Sequence, residues 1–298
     1  MKKILIIATL GILLLAAVLG AAPSRKMIQI KGSDTLVNLV QILAEEYMNL
    51  NSGTALAVLG GGSGTGISSI INGTCDIANH SREWKPKEIE QAWEKGVKPR
   101  FFVIAVDGLS IIVNEKLPLD KLTMGQVGSL YKGEIRNWKV VGGPDKAVSL
   151  YGRQSNSGTY SFLQEHVLGN KNFSADVKEM NGNAQIIESV IQDEGGVGYV
   201  GVGYLFDASG RIRKGIKVLN ISKDASGEAF SPLDKINIDS GKYPISRPLY
   251  QAVKGKPGPA IAAFLKFETG PEGQKIVERE GFFAIGEAHK AQNAKNLE

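Results

Sequence analysis

Cysteine is nearly absent from this 298-residue chain: Cys75 stands alone, so neither an internal disulfide nor a cysteine-built metal site can form. Histidine is almost as scarce. His80, His166 and His289 lie far apart, with no His-x-x-x-His or Cys-x-x-Cys spacing, which argues against a zinc enzyme or any other metal site. Aromatic residues make up only 7%, and the 35 Lys and Arg are scattered among 30 Asp and Glu rather than gathered into the basic stripe of a nucleic-acid binder. Walker A and Gly-x-Ser-x-Gly sequences are missing. Beyond residue 22 no apolar run approaches the ~20 residues that span a bilayer.

What remains is the composition of a globular protein, 43% apolar with 36 glycines, long enough for about two domains. Residues 1–22 are of another kind. Lys2 and Lys3 precede an uncharged apolar stretch, and Gly20, Ala21 and Ala22 lead into polar sequence. This predicts a secretory signal peptide cleaved near Ala22, with an uncleaved anchor as the rival reading. No cysteine follows the apolar stretch, so a lipoprotein anchor is not expected. Loss of Lys2 and Lys3 takes the net charge from +5 to +3, a mild bias toward an anionic ligand. An exported, periplasmic protein is expected, with no nucleic-acid partner.

Strand and helix patterns then alternate, the signature of an α/β sheet with parallel strands. Strands are predicted at 27–31, 54–59, 75–78, 148–152 and 245–253. A Gly-rich strand pair is predicted at 195–205, and an apolar run at 101–114, broken by Asp107 and Gly108, reads as a first crossing between two lobes. Helices are predicted after Asp34 or Thr35 as cap, through Ile67 to Ile71, at 87–95, after the Thr123 cap, after Ser157, and at 259–268 and 272–280. The stretch 222–242 reads as polar and irregular, and residues beyond about Ala288 as a polar, frayed tail, taken as 291–298.

Three segments repeat one design, a strand, a turn of Gly, Ser and Thr, then a helix: Gly32-Ser33-Asp34-Thr35-Leu36, Gly62-Ser63-Gly64-Thr65-Gly66 and Ser157-Gly158-Thr159. Each can be an ordinary N-cap. Each also presents hydroxyls and free N–H groups at a helix N-terminus, and such turns converge at the carboxyl ends of the strands. Arg153, beside the third, is a fork of donors suited to a tetrahedral oxyanion. A small oxyanion held without a metal fits this set. Gly196-Val-Gly-Tyr-Val-Gly201 matches Gly-x-Gly-x-x-Gly, but strand-like sequence follows it, so no nucleotide site is expected there.

These residues resemble the phosphate-binding proteins of bacterial phosphate ABC transporters. The resemblance rests on residues 31–36, 61–66, 73–78 with Ser81 and Arg82, 135–138 with Gly142 and Gly143, 152–160, and 272–276 with Gly281 and Phe282. It therefore extends over nearly all of the chain after the leader. It implies an α/β, two-lobed type II periplasmic-binding-protein fold, each lobe a mixed sheet flanked by helices and the two joined by a two-segment hinge. Lobe one would take residues 27–107 plus 247–290, lobe two 108–246. It further implies phosphate bound by Thr35, the Leu36 N–H, Ser63, Ser81, Arg153, Ser157, Gly158 and Thr159, in a monomer that delivers its cargo to a membrane permease complex without a cofactor.

The chain departs from the family's pattern twice. Some members have an aspartate at the position of Ser81, where it accepts the proton of bound phosphate, and some have a carboxylate at the position of Ser155. A buried proton acceptor separates phosphate from fully ionised sulfate, because a carboxylate facing sulfate is left unpaired and repelled. Asp34 is the nearest replacement, with Asp76 second, and a helix cap is the alternative role for Asp34. Sulfate, molybdate and tungstate remain alternative ligands. A hydrolase would need a histidine partner for Ser63 or Ser157, which the sequence does not supply.

Overall fold

A computed structural model describes residues 27–298; the leader and its cleavage site lie outside the described residues. The chain opens with β1 (Met27–Gly32), helix α1 (Val37–Leu50), β2 (Ala55–Leu59), α2 (Ser63–Ile71), β3 (Ile77–His80) and α3 (Pro86–Glu94). β1 pairs in parallel with both β2 and β3, so Ile30 sits between Val58 and Ile77. On α1 the apolar spacing buries Leu39, Val40, Leu43, Ala44 and Tyr47 against this sheet.

β4 (Pro99–Gly108) belongs to the same sheet, and β5 (Ser110–Asn114) to the next, with Leu109 alone between them. The predicted crossing is thus a single extended run. β6 (Lys121–Thr123), α4 (Met124–Tyr131), β7 (Ser149–Arg153), α5 (Gly158–His166), β8 (Lys178–Met180), α6 (Asn183–Gln192) and β9 (Gly196–Val200) follow. Next come β10 (Ile216–Val218), β11 (Asn220–Ser222) and α7 (Lys235–Asp239). The chain then returns through β12 (Ser246–Lys254) to α8 (Pro259–Thr269), α9 (Pro271–Arg279) and α10 (Glu287–Leu297). The first sheet runs β2-β1-β3-β12-β4 and the second β10-β5-β9-β7-β8, with β11 and β6 as a separate parallel pair. Both large sheets are mixed and flanked by helices, giving the two-lobed architecture.

Four expectations are corrected, the last of them at the C-terminus. Residues 195–205 hold one strand, β9, and a 3-10 turn at Val202–Tyr204, the chain leaving the sheet at Gly201, beside Thr35. Helix α6 and strand β8 fill a stretch given no element from sequence, although Ile186, Ile187 and Val190 of α6 have helical spacing and are buried. The segment 222–242 contains α7, capped by Asp234 through a 3.0 Å bond from the Ile236 N–H.

The C-terminal residues are not frayed. β4 is an edge strand, and α10 covers its open backbone groups. Asn293 exchanges two hydrogen bonds with Val103, accepting from its N–H at 3.0 Å and donating to its carbonyl at 2.7 Å. Asn296 donates to the Phe101 carbonyl at 2.7 Å. The amides take the place of a neighbouring strand, which explains why so polar a helix is held.

Cys75 lies at the foot of β3 in a small core of Ile67, Ile70, Ala78, Trp84 and Ala252. Burial pushes its thiol pKa up to about 12. Asp76 accepts from the Gln29 N–H at 2.8 Å, so it ties β3 to β1 and takes no part in the site described below.

Candidate functional site

The carboxyl ends of β1 and β2 carry two of the three turns, and Ser81, just after β3, joins them. Gly32 ends β1, and the Ser33 N–H donates to the Asn79 carbonyl at 2.8 Å, so the turn is anchored to β3. The Ser33 hydroxyl donates to Ser81 Oγ at 2.9 Å. Ser63, the first residue of α2, accepts from the Ser81 N–H at 3.1 Å, and its Oγ lies 3.3 Å from Ser81 Oγ. Gly62 precedes it at φ +89°, where a side chain would be strained and would meet the Asn156 carbonyl. Leu36 is fully buried, and its N–H is taken by the Ser33 carbonyl at 3.1 Å.

The third turn faces these from the second sheet. Arg153 ends β7 and is held on three sides: its N–H donates to Tyr199 Oη at 2.9 Å, Nε to the Met180 carbonyl at 3.1 Å, and Nη2 to Asp34 Oδ2 at 2.5 Å. Ser157 caps α5, accepting from the N–H groups of Thr159 and Tyr160. Because its oxygen is used as the acceptor, its proton is left to donate. Thr159 Oγ1 lies 3.1 Å from Thr35 Oγ1 across the cleft, both side chains being buried. Gly158 abuts Ser63 and Ser81. The lobes also meet through backbone: Gly64 N–H donates to the Asn156 carbonyl at 2.9 Å, and Asn156 Nδ2 to the Gly61 carbonyl at 2.9 Å. The structure therefore brings Thr35, Ser63, Ser81, Arg153, Ser157, Gly158 and Thr159 to one place, with hydroxyl donors converging from both sides.

Asp34 is not a helix cap. The cap position of α1 is Leu36 and carries no side-chain bond, while Asp34 Oδ1 accepts from the Gly61 N–H at 2.8 Å and Oδ2 from Arg153. The carboxylate links the first turn, the glycine loop and the arginine of the opposite lobe, and its main-chain carbonyl accepts from Tyr204 Oη at 2.5 Å.

Two charged residues of this region were missed from sequence. Arg247 is buried at the start of β12, donating from Nη2 to Thr159 Oγ1 at 3.0 Å and from Nη1 to the Ser81 carbonyl at 2.9 Å. Its Nε and Nη2 also reach Asp107 Oδ2 at 3.0 and 2.8 Å. Asp107 Oδ1 accepts from the Val202 N–H at 2.8 Å. The available signal was a charged residue inside each of two apolar runs, 101–114 and 245–253, since a buried charge needs a partner. The discounted glycine motif also has a role: a side chain at Gly201 would meet Thr35 Cγ2 at 2.8 Å, so its bareness admits the first turn.

His80 is next to Ser81 but turned away from it. Nδ1 lies 2.7 Å from the Arg82 carbonyl, which places the proton there, and the ring stacks on Tyr250 with centroids 5.0 Å apart. Burial pulls its pKa down to about 4. The serine hydroxyls are engaged with one another and with backbone N–H groups rather than with an imidazole. Among the described residues no group of three His, Cys, Asp or Glu could hold a metal ion, and no helix is long and apolar enough to cross a membrane.

Comparison with known proteins places the chain in a family. Residues 17–272 match the family model described as a PBP superfamily domain. The phosphate-binding protein PstS of Pseudomonas aeruginosa is 33% identical over 271 residues, covering 85% of this chain and 81% of that protein. The chain belongs to the PstS family of phosphate-binding proteins. PstS of Borreliella burgdorferi is 30% identical over 270 residues, covering 88% of this chain and 91% of the relative. Among solved structures, one assigned to phosphate ABC transport as a substrate-binding protein, from Clostridium perfringens and with bound phosphate, superposes with a TM-score of 0.76 at 26% identity. It covers 88% of this chain and 100% of that one. An ABC-type phosphate transport receptor from Vibrio cholerae gives 0.68 at 27% identity, covering 87% and 100%.

Proposed function

We propose that this protein captures inorganic phosphate between its lobes outside the cytoplasm and delivers it, as a monomer, to a membrane ABC permease. The observation that carries the reading is the cross-lobe cluster in which Thr35 and Thr159 meet at 3.1 Å beside Arg153 and the serines at positions 63, 81 and 157. Oxyanions are bound by hydroxyls, helix N-termini and a guanidinium fork, and dehydration is offset only when every oxygen finds a donor. Arg153 supplies charge; Thr35, Ser63, Ser81, Ser157 and Thr159 supply hydroxyls; Gly158 supplies an N–H at the start of α5. Leu36 joins them when its N–H exchanges the Ser33 carbonyl for an anion oxygen. Lobe one then spans 27–107 plus 247–290 and lobe two 108–246, with closure a hinge motion about the two crossings. Export rests on the leader at residues 1–22. The placement of His80 and the engagement of the serines favour binding over hydrolysis.

The test is calorimetric titration of the mature protein, freed of bound ligand by unfolding and refolding, with phosphate, sulfate, molybdate and tungstate. One-to-one phosphate binding that survives excess sulfate is expected. Silence toward phosphate with a response to another oxyanion would keep the site and replace the ligand.

A further inference from the structure

Arg247 and Asp107 sit opposite each other in the register of β12 and β4, at the point where both chains cross between lobes. Arg247 is 2% exposed and Asp107 0%. A buried ion pair costs desolvation and is weak evidence for stability, so its position calls for another account. The four groups that this pair grips come from three separate places. Ser81 belongs to the turn after β3 in the first sheet, and Thr159 to the helix after β7 in the second. Val202 follows β9, and Phe162, whose ring centroid lies 5.1 Å from the Arg247 guanidinium carbon, is on α5 with Thr159.

The bond to Thr159 has a direction. A guanidinium can only donate, so Arg247 Nη2 occupies a lone pair of Thr159 Oγ1, and the threonine's own proton must go elsewhere. The neighbour on the cleft side is Thr35 Oγ1. An anion in the cleft therefore meets the Thr159 hydroxyl as a donor and not as a lone pair. Asp107, the carboxylate that could otherwise draw that proton backward, already accepts from the Val202 N–H and twice from Arg247.

We propose that Arg247 is a positioning residue for oxyanion binding: from the hinge, it sets the Thr159 hydroxyl as a donor and holds the Ser81 and Thr159 turns in one arrangement on closure. The inference rests on the phosphate-capture reading above. Lysine could pair with Asp107, but its single nitrogen lacks the planar fork that reaches Ser81, Thr159 and Asp107 together.

The experiment is a double-mutant cycle read by phosphate calorimetry on the full mature chain: wild type, Arg247→Lys, Thr159→Val and the double variant, with thermal unfolding of each ligand-free protein as the folding control. Arg247→Lys is expected to raise the phosphate Kd by roughly 10- to 100-fold in the wild-type background, in line with couplings seen for directly bonded pairs. In the Thr159→Val background the same change should have a several-fold smaller effect, since the hydroxyl is gone and only the bond to the Ser81 carbonyl remains to be lost. A merely structural arginine would give equal changes in both backgrounds; that result, or no change in the wild-type background, overturns the proposal. If wild type itself fails to bind phosphate, the functional reading falls and takes this inference with it, an outcome distinct from additivity in a protein that binds.

Discussion

Gly158→Ala separates closure from folding. Gly158 is the first residue of α5, its φ is not positive, and alanine there is at least as good a helix former as glycine, by up to roughly 1 kcal/mol. The added methyl, however, would lie 2.6 Å from Ser81 Oγ and nearer still to Ser63 Oγ, both on the opposite lobe. That overlap exists only when the lobes are together. Overpacking of one methyl in a well-packed contact costs about 1–3 kcal/mol. At ~1.4 kcal/mol per tenfold, phosphate affinity should fall by roughly 5- to 150-fold. The ligand-free protein should melt at or slightly above the wild-type temperature, while the added stability at fixed phosphate should shrink by about the same 1–3 kcal/mol. Calorimetry for Kd and differential scanning for Tm measure the two. An unchanged Kd would show that the two lobes do not approach as described; a lowered ligand-free Tm would show that the glycine serves folding instead.

Other perturbations address the charges. Asp34→Asn removes the carboxylate bonded to Arg153 and to the Gly61 N–H, so the preference for phosphate over sulfate in competition titrations should fall by about tenfold or more; an unchanged ratio would leave Asp34 a purely structural clamp. His80 is neutral when folded, its pKa pulled from 6.5 to about 4 by burial, whereas the unfolded chain takes up the proton near 6.5. Stability is therefore intact above pH 6.5 and lost as pH falls toward 4, by about 3 kcal/mol in all. His80→Gln should flatten that part of the melting profile, and an equal slope in both proteins would refute the assignment. Glu268, buried on α8 with Gln251 donating to Oε1 at 3.2 Å, has its pKa raised well above the usual carboxyl value by burial. The folded state then holds a proton that the unfolded state releases above about 4.5, so stability declines as pH rises from there. Glu268→Gln should raise Tm at pH 7 to 8, with the gain vanishing near pH 4; a Tm gain independent of pH would point to packing alone.

The parts of the site legible in sequence are those in which chemistry is local. Thr35, Ser63, Arg153, Ser157 and Thr159 stand in turns whose strand and helix neighbours announce them, and the family resemblance orders them. Arg247 and Asp107 are 140 positions apart and become partners only through the register of β12 on β4, which no local pattern encodes. Asp34 has a cap's sequence context, yet Arg153, 119 positions away, and the glycine loop offer its carboxylate stronger partners than its own helix. The polar composition of α10 hides its role, since the asparagines work by meeting the backbone of an edge strand instead of by hydrophobicity. Fold class followed from alternation, which survives such local exceptions.

The seclusion of Cys75 has a practical use. With the thiol pKa near 12, only about one molecule in 10⁴ carries a thiolate at pH 8, and the sulfur lies within a packed core. Maleimide chemistry will pass it by. A cysteine placed at exposed Asn156, where the lobes touch, would then be the single reactive thiol, and a solvent-sensitive dye attached there would report lobe closure in an otherwise native sequence.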